Sequence, residues 1–143
     1  MTQKVSELMT TNLFTVSTSS TLHDAHNLMK EKSIRHIPVV DENNLLVGIL
    51  TQKIMIAKVM GIVTTFGENS LQRRERKIKV EDIMTTDFIR LAPNQSLQEV
   101  VTFFVENRHG CMPVVDENNK LLGLLTSSDF VKLAARLLSI NKN

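Results

Sequence analysis

Sliding the 143-residue chain 75 positions along itself brings two copies of one pattern into register without a gap. Val5-Ser-Glu-Leu-Met9-Thr10-Thr11 falls on Val80-Glu-Asp-Ile-Met84-Thr85-Thr86, and Leu22 falls on Leu97. Pro38-Val-Val-Asp-Glu-Asn-Asn44 falls on Pro113-Val-Val-Asp-Glu-Asn-Asn119, and Gly48, Leu50 and Thr51 fall on Gly123, Leu125 and Thr126. The boundaries read as 4–60 for the first copy, 61–79 for a connector and 80–138 for the second. A unit of about 55–60 residues buries too little surface to be secure alone, so the copies are expected to share an interface.

Within a copy the hydrophobic periods change in order. Val80–Met84 reads as a short helical turn, followed by an extended stretch, Phe14–Val16 or Phe88–Leu91. Thr21 or Ser96 then caps a helix of about ten residues, with Asp24 or Glu99 at the capping-box position. Leu22, Ala25, Leu28 and Met29 recur at helical spacing, as do Leu97, Val100, Phe103 and Phe104. Ile37–Val40 is a strand with proline near its start, where the missing N–H costs least. Asp41–Asn44 is a turn, Leu45–Leu50 a second strand, and a last helix begins after Thr51. The order helix–strand–helix–strand–strand–helix, twice, gives a mixed α/β (α+β) class. The first copy's last helix is expected to end between Met60 and Phe66.

Composition narrows the function classes. No apolar run approaches the roughly 18 residues of a membrane span, and the N-terminus lacks the layout of a secretory signal. One cysteine, Cys111, excludes an internal disulfide framework. These features predict a cytoplasmic protein. The net charge is +2, but residues 72–79 carry five basic residues against one Glu, leaving 12 basic and 14 acidic elsewhere. With no Trp, no Tyr and six Phe, a nucleic-acid surface is disfavoured. There is no Gly-rich phosphate loop, no nucleophile elbow and no paired carboxylates placed for acid–base work, so no enzyme is expected. His23 and His26 stand three apart, a spacing that is coincidental without further ligands, and no metal site is assigned.

On these motifs the chain resembles tandem cystathionine-beta-synthase (CBS) domains, the pair known as a Bateman module. The likeness rests on V-x-[ED]-[LI]-M-T at the start of each copy, the [IM]-P-V-V-D strand and turn, and G-[IL]-L-T at the last strand's end. It covers residues 4–138. The resemblance implies two pseudo-symmetric repeats, each a small sheet with helices, packed sheet to sheet, with clefts that take adenine nucleotides. It also implies dimerisation of such pairs.

Thr126-Ser-Ser-Asp129 opens the last helix of the second copy. A carboxylate there accepts both hydroxyls of a ribose diol, and a helix start suits phosphate. The same residues also make an ordinary helix cap, and both readings stand. The first copy has Ile54 in place of the carboxylate, which predicts unequal sites. By the resemblance, Arg35, His36, Arg108 and His109 are candidates for anion contacts. The bland alternative is that they are exposed charges on a helix-end loop. Phe88, Ile89, Met112 and Pro113 are candidates for an adenine slot, or plain core. The resulting expectation is a non-catalytic regulatory module that binds AMP, ADP or ATP near Asp129, without a catalytic cofactor, as a homodimer that acts on an effector protein. The alternative is a ligand-free dimerisation or interaction module.

Overall fold

The structure is a computed structural model that describes residues 3–107 and 110–140. Among the described residues it is α+β, with six helices and two small sheets. Packing divides the chain into two compact units that cut across the sequence repeat: residues 14–87 form one, and the N-terminal segment to Leu13 joins Phe88 onward in the other.

In the 14–87 unit, strand β1 (Val16–Ser17) runs parallel to β2 (His36–Val40), which pairs antiparallel with β3 (Leu46–Thr51). Helix α2 (Leu22–Lys32) crosses between β1 and β2. Its start is a complete capping box: the Thr21 hydroxyl accepts from Asp24 N, and the Asp24 carboxylate accepts from Thr21 N. Leu22, Ala25 and Met29 turn one face of α2 inward, onto Ile37, Val39 and Leu50. Each large side chain among them, buried in full, contributes about 1.5–3 kcal/mol. Helix α3 (Gln52–Phe66) ends at Gly67, whose φ of 82° suits glycine. A short 3-10 turn and helix α4 (Leu71–Glu75) follow. Val80 opens a 3-10 turn and is fully buried in this core. Thr85 then bridges Ile49 beside β3.

The other unit has the same plan with less strand. Helix α1 is Val5–Leu8, α5 Leu97–Asn107, β4 Cys111–Val115, β5 Leu121–Thr126 and α6 Ser127–Ile140. Val5, Leu97, Val100, Met112, Val114 and Leu125 meet in its core. The expected extended stretch Phe88–Leu91 makes a single parallel bridge, Leu91 to Val114, not a strand. Thr10 bridges Leu124 beside β5.

Both hairpins turn at the repeated Asp-Glu-Asn-Asn. Asp41 Oδ1 accepts from Asn43 N and Leu45 N, and Asp116 Oδ1 from Asn118 N and Lys120 N. Asn44 and Asn119 take φ of 63° and 66°, the left-handed region that asparagine tolerates. This part of the repeat is explained by the turn alone.

Candidate functional site

The corner between β5 and α6 is built by residues distant in sequence. Thr126 ends β5 opposite Cys111 on β4. Gly123, three residues earlier, lies under the Met9–Thr10 segment. A Cβ there would stand 2.8 Å from Met9 Sδ and 2.9 Å from Thr10 O. The missing side chain lets Thr10 and Leu124 exchange backbone bonds of 2.8 and 2.9 Å. That bridge delivers the Thr10 hydroxyl to Asp129, in the first turn of α6.

Asp129 is 4% exposed. Thr10 Oγ1 donates to Oδ1 at 2.9 Å, and Thr126 N and Oγ1 donate to Oδ2 at 2.8 and 3.2 Å. With Thr126 donating inward, Ser128 Oγ donates to Thr126 Oγ1 at 2.7 Å, so a relay of hydroxyls leads from the exposed Ser128 to the carboxylate. A carboxylate offers about four acceptor positions, so one on Oδ1 remains open. Two of the three donors present are rotatable hydroxyls that an incoming hydroxyl can replace. Among the described residues no Lys or Arg pairs with Asp129. Burial, with the nearby Asp129 charge second, pushes the Cys111 thiol up to about 12.

The matching corner of the 14–87 unit is different. Thr51 Oγ1 accepts from Ile54 N at 3.2 Å, a plain cap with no carboxylate behind it. His36 faces Thr51 across the β2–β3 pair, half-buried; burial first, and the Arg35 guanidinium second, hold its imidazole below the ordinary histidine range. Arg35 is exposed, and its carbonyl accepts from Gln52 N at 2.8 Å.

The sequence candidates thus separate. Asp129 and Thr126 are bonded to each other, and Phe88, Ile89, Met112 and Pro113 belong to the same unit; Arg35 and His36 belong to the other. Met112 is 1% exposed and part of the core. Pro113 is buried, its carbonyl accepting from Leu91 N at 2.8 Å. Ile89 is half-buried against that core. Phe88 is half-buried, with the Arg90 guanidinium 4.6 Å from its ring centroid. Arg108 and His109 lie outside the described residues. Sequence reasoning missed Thr10, although its place in the repeated Met-Thr was a signal.

The two spaced histidines both face one carboxylate. Glu75 of α4 is 2% exposed; His26 Nδ1–H donates to it at 2.6 Å, and His23 Nδ1 lies 3.8 Å away. This contact pins α4 to α2. Among the described residues no three His, Cys, Asp or Glu side chains are placed to hold a metal ion, and no helix is long and apolar enough to cross a membrane.

Comparison with known proteins gives a consistent result. The CBS domain model matches the chain twice, at residues 5–61 and 80–136. The structure of a Vibrio cholerae protein assigned to acetoin utilization (AcuB) is 31% identical, with a TM-score of 0.86 over 100% of this chain and 99% of that one. CBSX2, solved in complex with AMP, is 28% identical, with a TM-score of 0.76 over 94% of this chain and 97% of its own. The CBS domain-containing protein YhcV of Bacillus subtilis is 30% identical over 87% of this chain and 81% of YhcV. Inosine-5'-monophosphate dehydrogenase of Methanocaldococcus jannaschii is 30% identical over 91% of this chain, but the match spans 23% of that enzyme. For homoserine O-acetyltransferase of Methanococcoides burtonii the share is 24%.

Proposed function

The chain belongs to the CBS-domain family, and from that premise we propose that it is a non-catalytic regulatory module that binds an adenosine-containing ligand beside Asp129. The observation that carries this reading is the buried carboxylate at the start of α6, held by two replaceable hydroxyls and one backbone N–H and, among the described residues, by no cation. A ribose diol presents two more hydroxyl donors to such an acceptor. The helix start adjoining it suits phosphate. The likeness to CBSX2, solved with AMP, supports AMP as the first ligand to test, with ADP and ATP beside it. Thr126 and Thr10 then position the carboxylate. Arg108 and His109 serve as anion contacts beside it, and Phe88, Ile89 and Pro113 border the base, with Met112 behind them; Arg35 and His36 serve as anion contacts only at the Thr51 corner of their own unit. The corner at Thr51 and Ile54 lacks the acceptor and binds weakly or not at all.

Regulation follows from differential binding: the ligand favours whichever state of the module it contacts better. Its output lies in an effector protein. The full-length likeness to the Vibrio cholerae protein makes acetoin utilization the first process in which to look for it. A second reading, ligand-free assembly as a homodimer, is favoured by apolar residues left exposed on α3 (Ile56, Met60) and α6 (Val131, Leu138).

Calorimetric titration tests the choice. AMP and its analogue lacking one ribose hydroxyl are titrated into wild type and Asp129→Asn. The reading predicts heat with AMP, and weaker binding for the analogue and for the variant. At 100 times its dissociation constant the ligand adds about 2.7 kcal/mol of apparent stability. Flat titrations with AMP, ADP and ATP, beside a concentration-dependent dimer in sedimentation velocity, favour the second reading and sink the first.

A further inference from the structure

Helix α3 carries a glycine that its packing does not require. A Cβ built on Gly61 meets no atom within 4 Å, and glycine inside a helix weakens it. Gly61 opens onto an apolar hollow of about 540 Å³, lined also by Ile54, Ala57, Ile62 and Phe66 of the same helix and by Ile78. That volume lies in the range of ligand-sized clefts, about 300–1,000 Å³, and admits bulky apolar side chains. Lys58 is the charged residue in its wall.

The hollow is continuous with the basic run. Ile78 stands between Lys77 and Lys79, and Phe66 carries the Arg74 guanidinium 3.3 Å from its ring centroid. The single acid of the run, Glu75, is turned inward onto His26 and neutralises nothing outside. Arg73, Arg76, Lys77 and Lys79 are exposed. Among the described residues no carboxylate comes within 4.0 Å of any lysine or arginine.

We propose that this hollow and its cationic border dock an acidic segment of a partner protein, with a bulky apolar residue seated over Gly61 and flanking carboxylates against Lys58, Arg73, Arg76 and Lys77. Charge complementarity selects the occupant. A second copy docked about a twofold axis would set the basic run against itself. A nucleic acid would satisfy the cations but bring no aliphatic group for the hollow. The proposal is independent of the adenosine reading, and its test contains no nucleotide.

The probe is a fluorescein-labelled amphipathic peptide with Leu and Phe at helical spacing among Glu residues, followed by anisotropy on the full chain. Its controls are the same peptide with Lys for Glu, the same peptide with Ser for Leu and Phe, and a duplex DNA of mixed sequence. The proposal predicts that the acidic amphipathic peptide binds, that both control peptides bind at least about tenfold more weakly, and that added salt weakens the complex. Gly61→Phe fills the hollow and is expected to weaken binding at least about tenfold, whereas Gly61→Ala has a much smaller effect. The charge reversals Arg73→Glu and Arg76→Glu weaken it separately, and thermal melts confirm that each variant is folded. No binding of the acidic peptide, equal binding of the Ser control, or tighter binding of duplex DNA overturns the proposal. So does a homodimer in sedimentation velocity that Gly61→Phe abolishes, because the hollow is then an interface between copies.

Discussion

Among the described residues, Asp129 is held by hydroxyls and a backbone N–H, and no counter-ion pairs with it. Its nearest donors are Thr10, more than a hundred residues away in sequence, and Thr126, three residues away. A carboxylate out of water without such donors is costly, so its burial depends on both threonines. Removing it leaves donors without an acceptor. Asp129→Ala is therefore expected to cost about 1–3 kcal/mol in urea unfolding, with Thr10→Val costing about 1 kcal/mol. Because the two share one bond, the double variant should cost less than the sum of the singles, by about 0.5 kcal/mol or more. Strict additivity would mean that the Thr10 bond contributes nothing. The helix-cap reading of Asp129 is visible in Thr-Ser-Ser-Asp itself, because Thr126 lies within one turn. The Thr10 bond was not, because two copies of one pattern do not say which copy's Met-Thr lies over which copy's strand.

That ambiguity recurs at the scale of elements. The local devices were legible: the Thr21–Asp24 capping box, the Asp-Glu-Asn-Asn turns and the helical stripe of Leu22, Ala25 and Met29 all act within a few residues. The expected strand at Phe88–Leu91 does not form, because extended sequence becomes strand only where it pairs along a partner edge, and here one bridge forms. The repeated spacing of Met-Thr and Gly-x-Leu-Thr has a packing cause. Met84 presses its side chain against Gly48 within one unit, and Met9 and the Thr10 carbonyl press against Gly123 within the other. The glycines are therefore not equivalent. At Gly48 the obstacle is the flexible end of a methionine, which can swing aside. At Gly123 it includes the backbone oxygen of Thr10, a residue that exchanges two bridge hydrogen bonds with Leu124. Gly61 meets nothing. Alanine at the three positions should order the melting temperatures accordingly: raised at 61, by about 0.5–1 kcal/mol of helix preference, lowered at 48, and lowered most at 123. A Gly123→Ala variant as stable as wild type would contradict the close approach of the leading segment.

At the scale of the molecule, the repeating unit and the packing unit are offset. The repeat begins at Val5 and Val80, yet packing breaks the chain after Leu13 and after Asp87. The leading segment of one copy thus completes the sheet and core of the other. Val80 is fully buried with Leu22 and Ile37, and Val5 with Leu97 and Met112. Excised pieces should follow packing and not sequence similarity. Residues 14–87 contain β1 to β3, α2 to α4, the Glu75–His26 contact and the Val80 plug, and are expected to melt cooperatively by circular dichroism. Residues 4–60 carry Val5 without its core and lack Ile62, Glu75 and Val80, and are expected to show no cooperative transition. The complementary piece, 88–143, lacks Val5 and the Thr10 bridge, and Cys111 reports its state. A thiol held up to about 12 in the complete unit carries on the order of a thousandfold less thiolate than an ordinary one. Iodoacetamide at neutral pH should therefore alkylate Cys111 readily in 88–143 and slowly in the full chain, with added peptide 1–13 slowing the fragment toward the full-chain rate. A cooperative 4–60, with a fragment thiol already protected and indifferent to the peptide, would show that each sequence repeat folds with its own leading segment and that the exchange does not occur.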